Sequence, residues 1–380
     1  MVHQDGQQII DPDGKVIKLR GVLLEGWLMW NGALWGAGFT SETVIATRLE
    51  RLVGEDEFNS FQKAIYENFI TEKDIEMIAD LGLNAVRVPF NHTVLESEAG
   101  EVDYTADGWV YLDRLVDWGE KHQVYVILDL HSAPGGQSGV FVADPDSTKL
   151  WESKENQDRT VALWQAIASR YHQETIIAGY DLLNEPGFNN PADLVLFYQR
   201  LITAIREVDP YHMVIIEGNH LTSDFSFFSE PLSTNMAYSF HTYNFLSDEV
   251  DDNQVDELTA ISEAQGVPIW NGEFGAHKVE WTEEVLEMFE DPKAAVSGWI
   301  YWPWKKVTEG YSERWRHLAA IPSTSAWDAV RLNISFPLNE EHLLDRESAI
   351  KGMADFTTAI KAENLIIDQE IAETLGKYSR

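Results

Sequence analysis

The sequence contains no cysteine, so disulfides, zinc–thiolate sites and thiol nucleophiles are all excluded. Basic residues are scarce: 28 Lys and Arg stand against 63 Asp and Glu, giving a net charge of −35. That excess repels nucleic acid, anionic membranes and acidic polysaccharides, and it predicts a neutral or cationic substrate. The carboxylates themselves read as a solvated surface rather than a binding patch. No run of about 18 apolar residues is present to span a bilayer, and the opening "MVHQDGQQIIDPDGK" lacks the basic and apolar regions of a secretory signal. The expectation is a soluble globular protein, either cytoplasmic or with its signal removed.

What is present is ample core material, 44% hydrophobic and 12% aromatic. Short β-branched or apolar runs alternate with longer amphipathic stretches, a rhythm that predicts βα units and a parallel sheet. The candidate strands are "LRGVLL" (from Leu19), "NAVRVPF" (from Asn84), "VYVILDLH" (from Val124), "AGYDLLNE" (from Ala178), "MVIIEG" (from Met213), "MAYSFHTY" (from Met236), "PIWNGEFG" (from Pro268) and "SGWIYWPW" (from Ser297). Eight such strands close a (β/α)8 TIM barrel, and the 380 residues fit one such domain with insertions.

Helices are expected in "TEKDIEMIADLG", capped by Thr71 with Asp74 three residues on, in "WVYLDRLVDWGEKH", and from near Gln157, Pro191, Asp252 and Trp281. "QQIIDPDGKVIKL" reads as an N-terminal β-hairpin turning at Asp13-Gly14, placed to cover the bottom of the barrel. Long loops follow strands one and eight, over residues 27–70 and 305–345. Both emerge at the face where barrel enzymes keep their active sites. Both carry tryptophans, Trp27, Trp30 and Trp35 in one and Trp315 and Trp327 in the other, and the two loops are expected to wall in a pocket.

In this register Glu185 ends strand four ("LLNEP") and Glu273 ends strand seven ("NGEFG"), so two acids distant in sequence converge on one rim. Two carboxyl groups about 5 Å apart are the machinery of retaining glycoside hydrolysis, one protonating the leaving oxygen and the other attacking the anomeric carbon. Arg87, among apolar residues of strand two, needs a carboxylate partner if buried, and the attacking acid is one. His131 tops strand three, and His241 with Tyr243 tops strand six. Strand eight ends in tryptophans. Trp302 offers an aromatic face to a sugar ring, while Trp299 and Trp304 are equally well explained by core packing.

Through these residues the sequence resembles glycoside hydrolase family 5, the (β/α)8 retaining glycosidases that include cellulases, mannanases and exo-β-1,3-glucanases. The family's eight active-site positions are matched by Arg87, His131, Asn184, Glu185, His241, Tyr243, Glu273 and Trp302. By resemblance, Glu185 is the acid/base and Glu273 the nucleophile. Asn184 contacts the sugar 2-hydroxyl, Tyr243 and Arg87 hold the nucleophile, and His241 and His131 line the subsite. "DLHSAPGGQSG" after strand three is similar to the exo-glucanase and β-glucosidase branches.

Strand one departs from the family pattern: "RGVLLEGW" has Leu23 and Glu25 where relatives carry a polar and a small residue. Glu25 either binds sugar hydroxyls or is a solvated loop acid. The family often has a cis bond after the strand-eight tryptophan, and with Pro303 next in line a cis Trp302–Pro303 bond is expected, since X-Pro cis costs only about 0.5–1 kcal/mol.

The resemblance implies no cofactor and no metal, and a neutral β-linked oligo- or polysaccharide as partner. Metal-dependent barrel hydrolases need clustered His and Asp ligands beginning on strand one, where "LRGVLL" offers none. A cellulase-type endo-β-1,4-glucanase and a non-catalytic carbohydrate-binding barrel stay open as alternatives.

Overall fold

The computed structural model describes residues 1–187, 190–243, 250, 253–275, 277–308, 316–337, 339 and 342–379. Eight parallel strands run Leu19–Leu23, Ala85–Asn91, Tyr125–Ser132, Ile177–Asp181, Met213–Glu217, Met236–Tyr243, Ile269–Gly275 and Val296–Tyr301. The last pairs with the first, Gly298 with Leu19 through Tyr301 with Val22, which closes the barrel. The strands are covered on both faces, which is why they read as near-continuous apolar runs instead of alternating ones. Among the described residues no helix is long and apolar enough to cross a membrane.

The expected helices are present as Glu72–Asp80, Asp107–His122, Lys154–Tyr171, Pro191–Val208, Asn253–Gln265 and Val279–Glu290. Asp74 does more than complete a capping box. One carboxyl oxygen accepts from the backbone N–H of Thr71 (2.8 Å), and the other accepts from Trp304 Nε1 (3.0 Å) and pairs with Lys305 Nζ at 2.6 Å. The start of this helix is thereby bolted to the end of the barrel.

The N-terminal hairpin pairs Gln8–Ile10 with Val16–Ile17, and a further strand, His3–Asp5, adds to its outer edge. It lies across the bottom, where Gln4 bonds the backbone N–H of Met236 (2.9 Å) and Ser297 Oγ donates to the carbonyl of Gln7 (3.2 Å).

Three expectations need correction. The fourth strand stops at Asp181, so Glu185 lies beyond its end; its φ of +45° breaks the extended run. The chain is nonetheless guided there by bonds from Leu182 N to the carbonyl of Ile215 and from Asn184 N to that of Leu130 (both 3.1 Å). The eighth strand likewise stops at Tyr301, ahead of a cis Trp302–Pro303 bond.

Third, among the described residues only the first of the two long loops borders the pocket at the strand ends, and the loop tryptophans lie in the core. Trp27, Trp30, Trp35 and Trp327 are fully buried, Trp327 stacking on Phe356 at 3.9 Å and meeting Trp35 edge-on at 6.3 Å. They fuse the first insertion, with its helices Glu42–Val53 and Glu55–Asn68, to the helix Ser325–Ser335 of the second. Large rings gain more from that shared core than from a solvated rim. Trp315 falls outside the described residues.

The same insertion buries an acid. Glu42 accepts from the backbone N–H of Trp30 (3.0 Å) and from Asn91 Nδ2 (3.2 Å), and Asn91 also reaches Asp144. Burial first, and the charge of Asp144 after it, push the Glu42 carboxyl up to about 8. Because this folded value lies above the ordinary one near 4.5, the stability linked to Glu42 is fully present below about pH 4.5 and is lost as pH rises toward 8. Glu42→Gln is therefore expected to raise the free energy of unfolding by on the order of 3 kcal/mol near pH 8 and to change it little near pH 4.5. Denaturant melts at the two pH values check this, and equal shifts at both refute it.

Candidate active site

The strand ends surround a pocket of about 640 Å³. Seven of the nine residues singled out from the sequence line it: Glu25, His131, Glu185, His241, Tyr243, Glu273 and Trp302. The other two, Arg87 and Asn184, are buried alongside, Arg87 completely.

Glu185 and Glu273 meet. Their carboxyl oxygens and a ring nitrogen of His241 all lie within 4.8 Å of one another. Glu273 sits inside strand seven, and its two oxygens accept from Arg87 Nη1 (3.2 Å) and from the Tyr243 hydroxyl in a very short bond. Glu185 Oε1 faces His241 Nδ1 at 2.9 Å. Burial and the nearby charges of Glu185 and Glu25 push Glu273 up to about 7, against the opposing pull of His241 and Arg87. Burial also works to raise Glu185, but the bond and charge of His241 outweigh it and hold that carboxyl below the usual range. Two carboxyls this close titrate as a unit, which keeps one proton between them up to about pH 7.

Burial opposes charge on His241, yet Glu217 and Glu273 raise it well above its ordinary value. His131 is raised to about 9 in the same way, against burial, by Asp129, whose Oδ2 is 2.7 Å from its Nδ1. Among the described residues, Glu185, His241 and Glu273 are the ones spaced to hold a metal ion.

Asn184 spans from Arg87, whose Nη2 donates to its Oδ1 (3.0 Å), to His131, with 3.2 Å between its Nδ2 and the ring Nε2. Glu25 is no solvated loop acid: it is 2% exposed, accepts from Asn31 Nδ2 (2.7 Å) and from Trp302 Nε1, and lines the pocket. Trp302 packs edge-on to Tyr243 at 5.9 Å, with one face on the pocket. Trp299 and Trp304 are wholly core.

The pocket walls come only in part from the expected loops. The first insertion contributes Asn31, Ala33 and Phe39, and no described residue of 305–345 takes part. Joined to it is the loop after strand three, Val140–Val142, where the Phe141 ring meets Phe39 at 5.3 Å. Gln137, fully buried, pins that loop: its Nε2 donates to the carbonyls of His131 and Asn184 (both 2.7 Å), and its Oε1 accepts from the backbone N–H of Ala133 (3.0 Å). Gly136 is required there, since its φ is +79° and a Cβ would sit 2.7 Å from Pro145 Cα.

Sequence reasoning missed three buried acids. Arg87 pairs with Glu273 and also with Asp129 (3.3 Å), Asp181 (2.8 Å) and Glu217 (2.8 Å) from strands three, four and five. The signal was available. Each is a lone acid inside an apolar strand run, "VILDLH", "AGYDLL" and "VIIEG", and a lone buried arginine stood on the neighbouring strand.

Residues 50–307 match the model of the family Cellulase (glycosyl hydrolase family 5). A β-xylosidase from Phanerodontia chrysosporium is 35% identical over 331 residues, 78% of this chain and 69% of that protein. Endoglucanase C from Acetivibrio thermocellus is 35% identical over 193 residues, so that match spans about half of each chain, 50% and 54%. The rutinosidase from Aspergillus niger superposes with a TM-score of 0.63 at 19% identity, covering 77% of this chain and 90% of its own, and so shares the fold. With two thirds of the sequence inside the family model, and the paired glutamates at the mouth of a closed eight-stranded barrel, this chain belongs to glycosyl hydrolase family 5.

Proposed function

We propose that this O-glycosyl hydrolase is a retaining β-glycosidase that removes glucose from the ends of neutral β-linked glucosides or gluco-oligosaccharides, with Glu185 as acid/base and Glu273 as nucleophile. The observation that carries this is the approach of the two carboxyls to within 4.8 Å. Retaining enzymes place them about 5–5.5 Å apart, whereas inverting ones leave roughly 6.5–9.5 Å for a water.

In the first step Glu273 attacks the anomeric carbon as the bond to the leaving oxygen breaks, and Glu185 gives that oxygen its proton. Arg87 and Tyr243 keep the Glu273 carboxylate aimed through their bonds to its two oxygens. In the second step Glu185 takes a proton from water, which attacks the anomeric carbon and frees Glu273. Asn184 stands beside Glu185 to meet the sugar 2-hydroxyl, where hydrogen bonds strengthen in the transition state. Trp302 supplies the ring platform, and the Glu25 carboxylate below it is an acceptor for hydroxyls of the terminal sugar.

Action at chain ends is supported by the continuous wall that Ala33 and Phe39 form with Val140–Val142 along the pocket, their Phe39 and Phe141 rings meeting at 5.3 Å. The test is a panel of aryl β-glucoside, xyloside, galactoside and mannoside alongside laminarin, cellulose derivatives and mannan, with product lengths analysed. Release of monosaccharide alone, fastest from glucosides, is the expected outcome. A ladder of oligomers overturns end-on action, a faster xyloside overturns the sugar, and no turnover on any β-glycoside leaves a carbohydrate-binding barrel.

A further inference from the structure

Glu217 ends strand five, is fully buried and does not line the pocket, yet its carboxyl meets three members of the machinery around it, Glu185, Arg87 and His241. Its Oε2 accepts the backbone N–H of Glu185 at 2.6 Å. Its Oε1 accepts from Arg87 Nη2 at 2.8 Å and lies 3.2 Å from Nε2 of His241, whose other nitrogen faces the Glu185 carboxyl. Arg87 in turn reaches Glu273. Glu217 is itself held by Tyr198 on the helix Pro191–Val208, whose hydroxyl donates to the Glu217 carbonyl (3.0 Å) and accepts from its N–H (3.2 Å).

Glu185 needs such a hold. Its φ of +45° is a conformation that side chains with a Cβ seldom adopt, and no strand ladder fixes it, because the fourth strand has already ended at Asp181. A carboxylate on the adjacent strand grips this residue's N–H and also faces the imidazole that aims its side chain. We propose that Glu217 is a positioning residue, which sets the backbone of the acid/base Glu185 and keeps the His241 ring turned toward its carboxyl. This rests on the two-glutamate reading above. The charged groups facing Glu217 are Arg87 and His241. Asp129, Asp181 and Glu273 share the Arg87 guanidinium with it, from strands three, four and seven.

Displacing Glu185 harms proton donation, so the defect depends on how much the leaving group needs a proton. In Glu217→Gln an amide N–H2 replaces one of the two acceptor oxygens. For an unactivated alkyl or glycosyl β-glycoside, kcat/KM is expected to fall by about 100-fold, within the range for lost general acid catalysis. The first step with a dinitrophenyl glycoside falls less than about tenfold, since so acidic a leaving group needs little protonation. A merely structural role predicts equal losses on both substrates, and that result overturns the proposal, as does a variant with unchanged kinetics.

Should Glu217→Gln not fold, Tyr198→Phe loosens the Glu217 backbone without altering any charge and is expected to show the same leaving-group bias at smaller amplitude. Equal losses on both substrates in that variant likewise overturn the proposal. Glu185→Ala is the control. If it shows the bias and neither other variant does, only the role of Glu217 fails; if Glu185→Ala itself lacks the bias, the two-glutamate assignment fails and the inference with it.

Discussion

Glu273→Ala is expected to lower kcat on a β-glucoside by about five orders of magnitude, because on the proposed assignment Glu273 forms the covalent bond to the anomeric carbon, and losing a nucleophile removes the whole double-displacement path. Glu185→Ala is expected to lose about 10²- to 10⁴-fold on an unactivated glycoside, the span for general acid–base catalysis. With a nitrophenyl glycoside, its first step stays near the wild-type rate and the glycosyl-enzyme accumulates as a burst. Azide then separates the roles by stereochemistry. In Glu185→Ala it attacks the glycosyl-enzyme from the face that water normally uses and yields the β-glycosyl azide. In Glu273→Ala it fills the space vacated by the nucleophile and yields the α-glycosyl azide. Interchanged products would reverse the assignment.

The pH dependence follows from the shared proton. Its upper dissociation is set by Glu273, held at about 7 chiefly by burial. Above that pH the pair has no proton to give the leaving oxygen, so kcat/KM of the free enzyme is expected to fall with an alkaline limb near 7. In Glu185→Ala that limb vanishes for nitrophenyl substrates, which need no donated proton.

Much of this site was legible because the barrel turns sequence position into spatial position. Once "NAVRVPF", "VYVILDLH", "MAYSFHTY" and "NGEFG" are recognised as parallel strands, their C-terminal residues must share one rim, whatever lies between them. The end of strand four was harder to read. "AGYDLLNE" continues as an apolar run past Asp181, and periodicity does not register that Leu182 and Leu183 are buried outside the ladder, or that Glu185 turns to positive φ. The pocket walls were illegible for a different reason. Tryptophan is common both in carbohydrate sites and in cores, and composition does not say which. Whether Trp35 faces a sugar or Trp327 depends on the docking of helices some 290 residues apart in sequence, a tertiary choice with no local signature. Glu25 was ambiguous alone, and its place is set by Trp302 and Asn31, of which only Asn31 is near it in the chain.

Arg87→Met is expected to remove a large share of the stability of the folded chain near neutral pH. The guanidinium is fully buried, and although burial disfavours its charge, Asp129, Asp181, Glu217 and Glu273 together hold it firmly protonated. Methionine preserves much of the volume, so the loss is electrostatic: four buried carboxyls remain without the guanidinium they share. Breaking a buried ion pair by deleting one partner costs about 3–5 kcal/mol, against a total of about 5–15 kcal/mol for a typical domain. The penalty has a pH signature. Without Arg87 the orphaned carboxyls titrate in the folded state above their unfolded values, so stability is retained below about pH 4 and lost as pH rises through the folded values. Burial already pushes Asp181 well up even with the arginine present. Denaturant unfolding of wild type and variant across pH is therefore expected to show a gap that is largest near neutrality and closes in acid, and a pH-independent gap would show that lost packing, not stranded charge, is the cause. Adding Asp181→Asn to Arg87→Met removes the carboxyl most disposed to hold a proton and is expected to recover part of the neutral-pH loss. That partial rescue would identify the arginine as the counter-charge that lets four acids be buried together, the condition under which Glu273 is present as an aimed carboxylate at all.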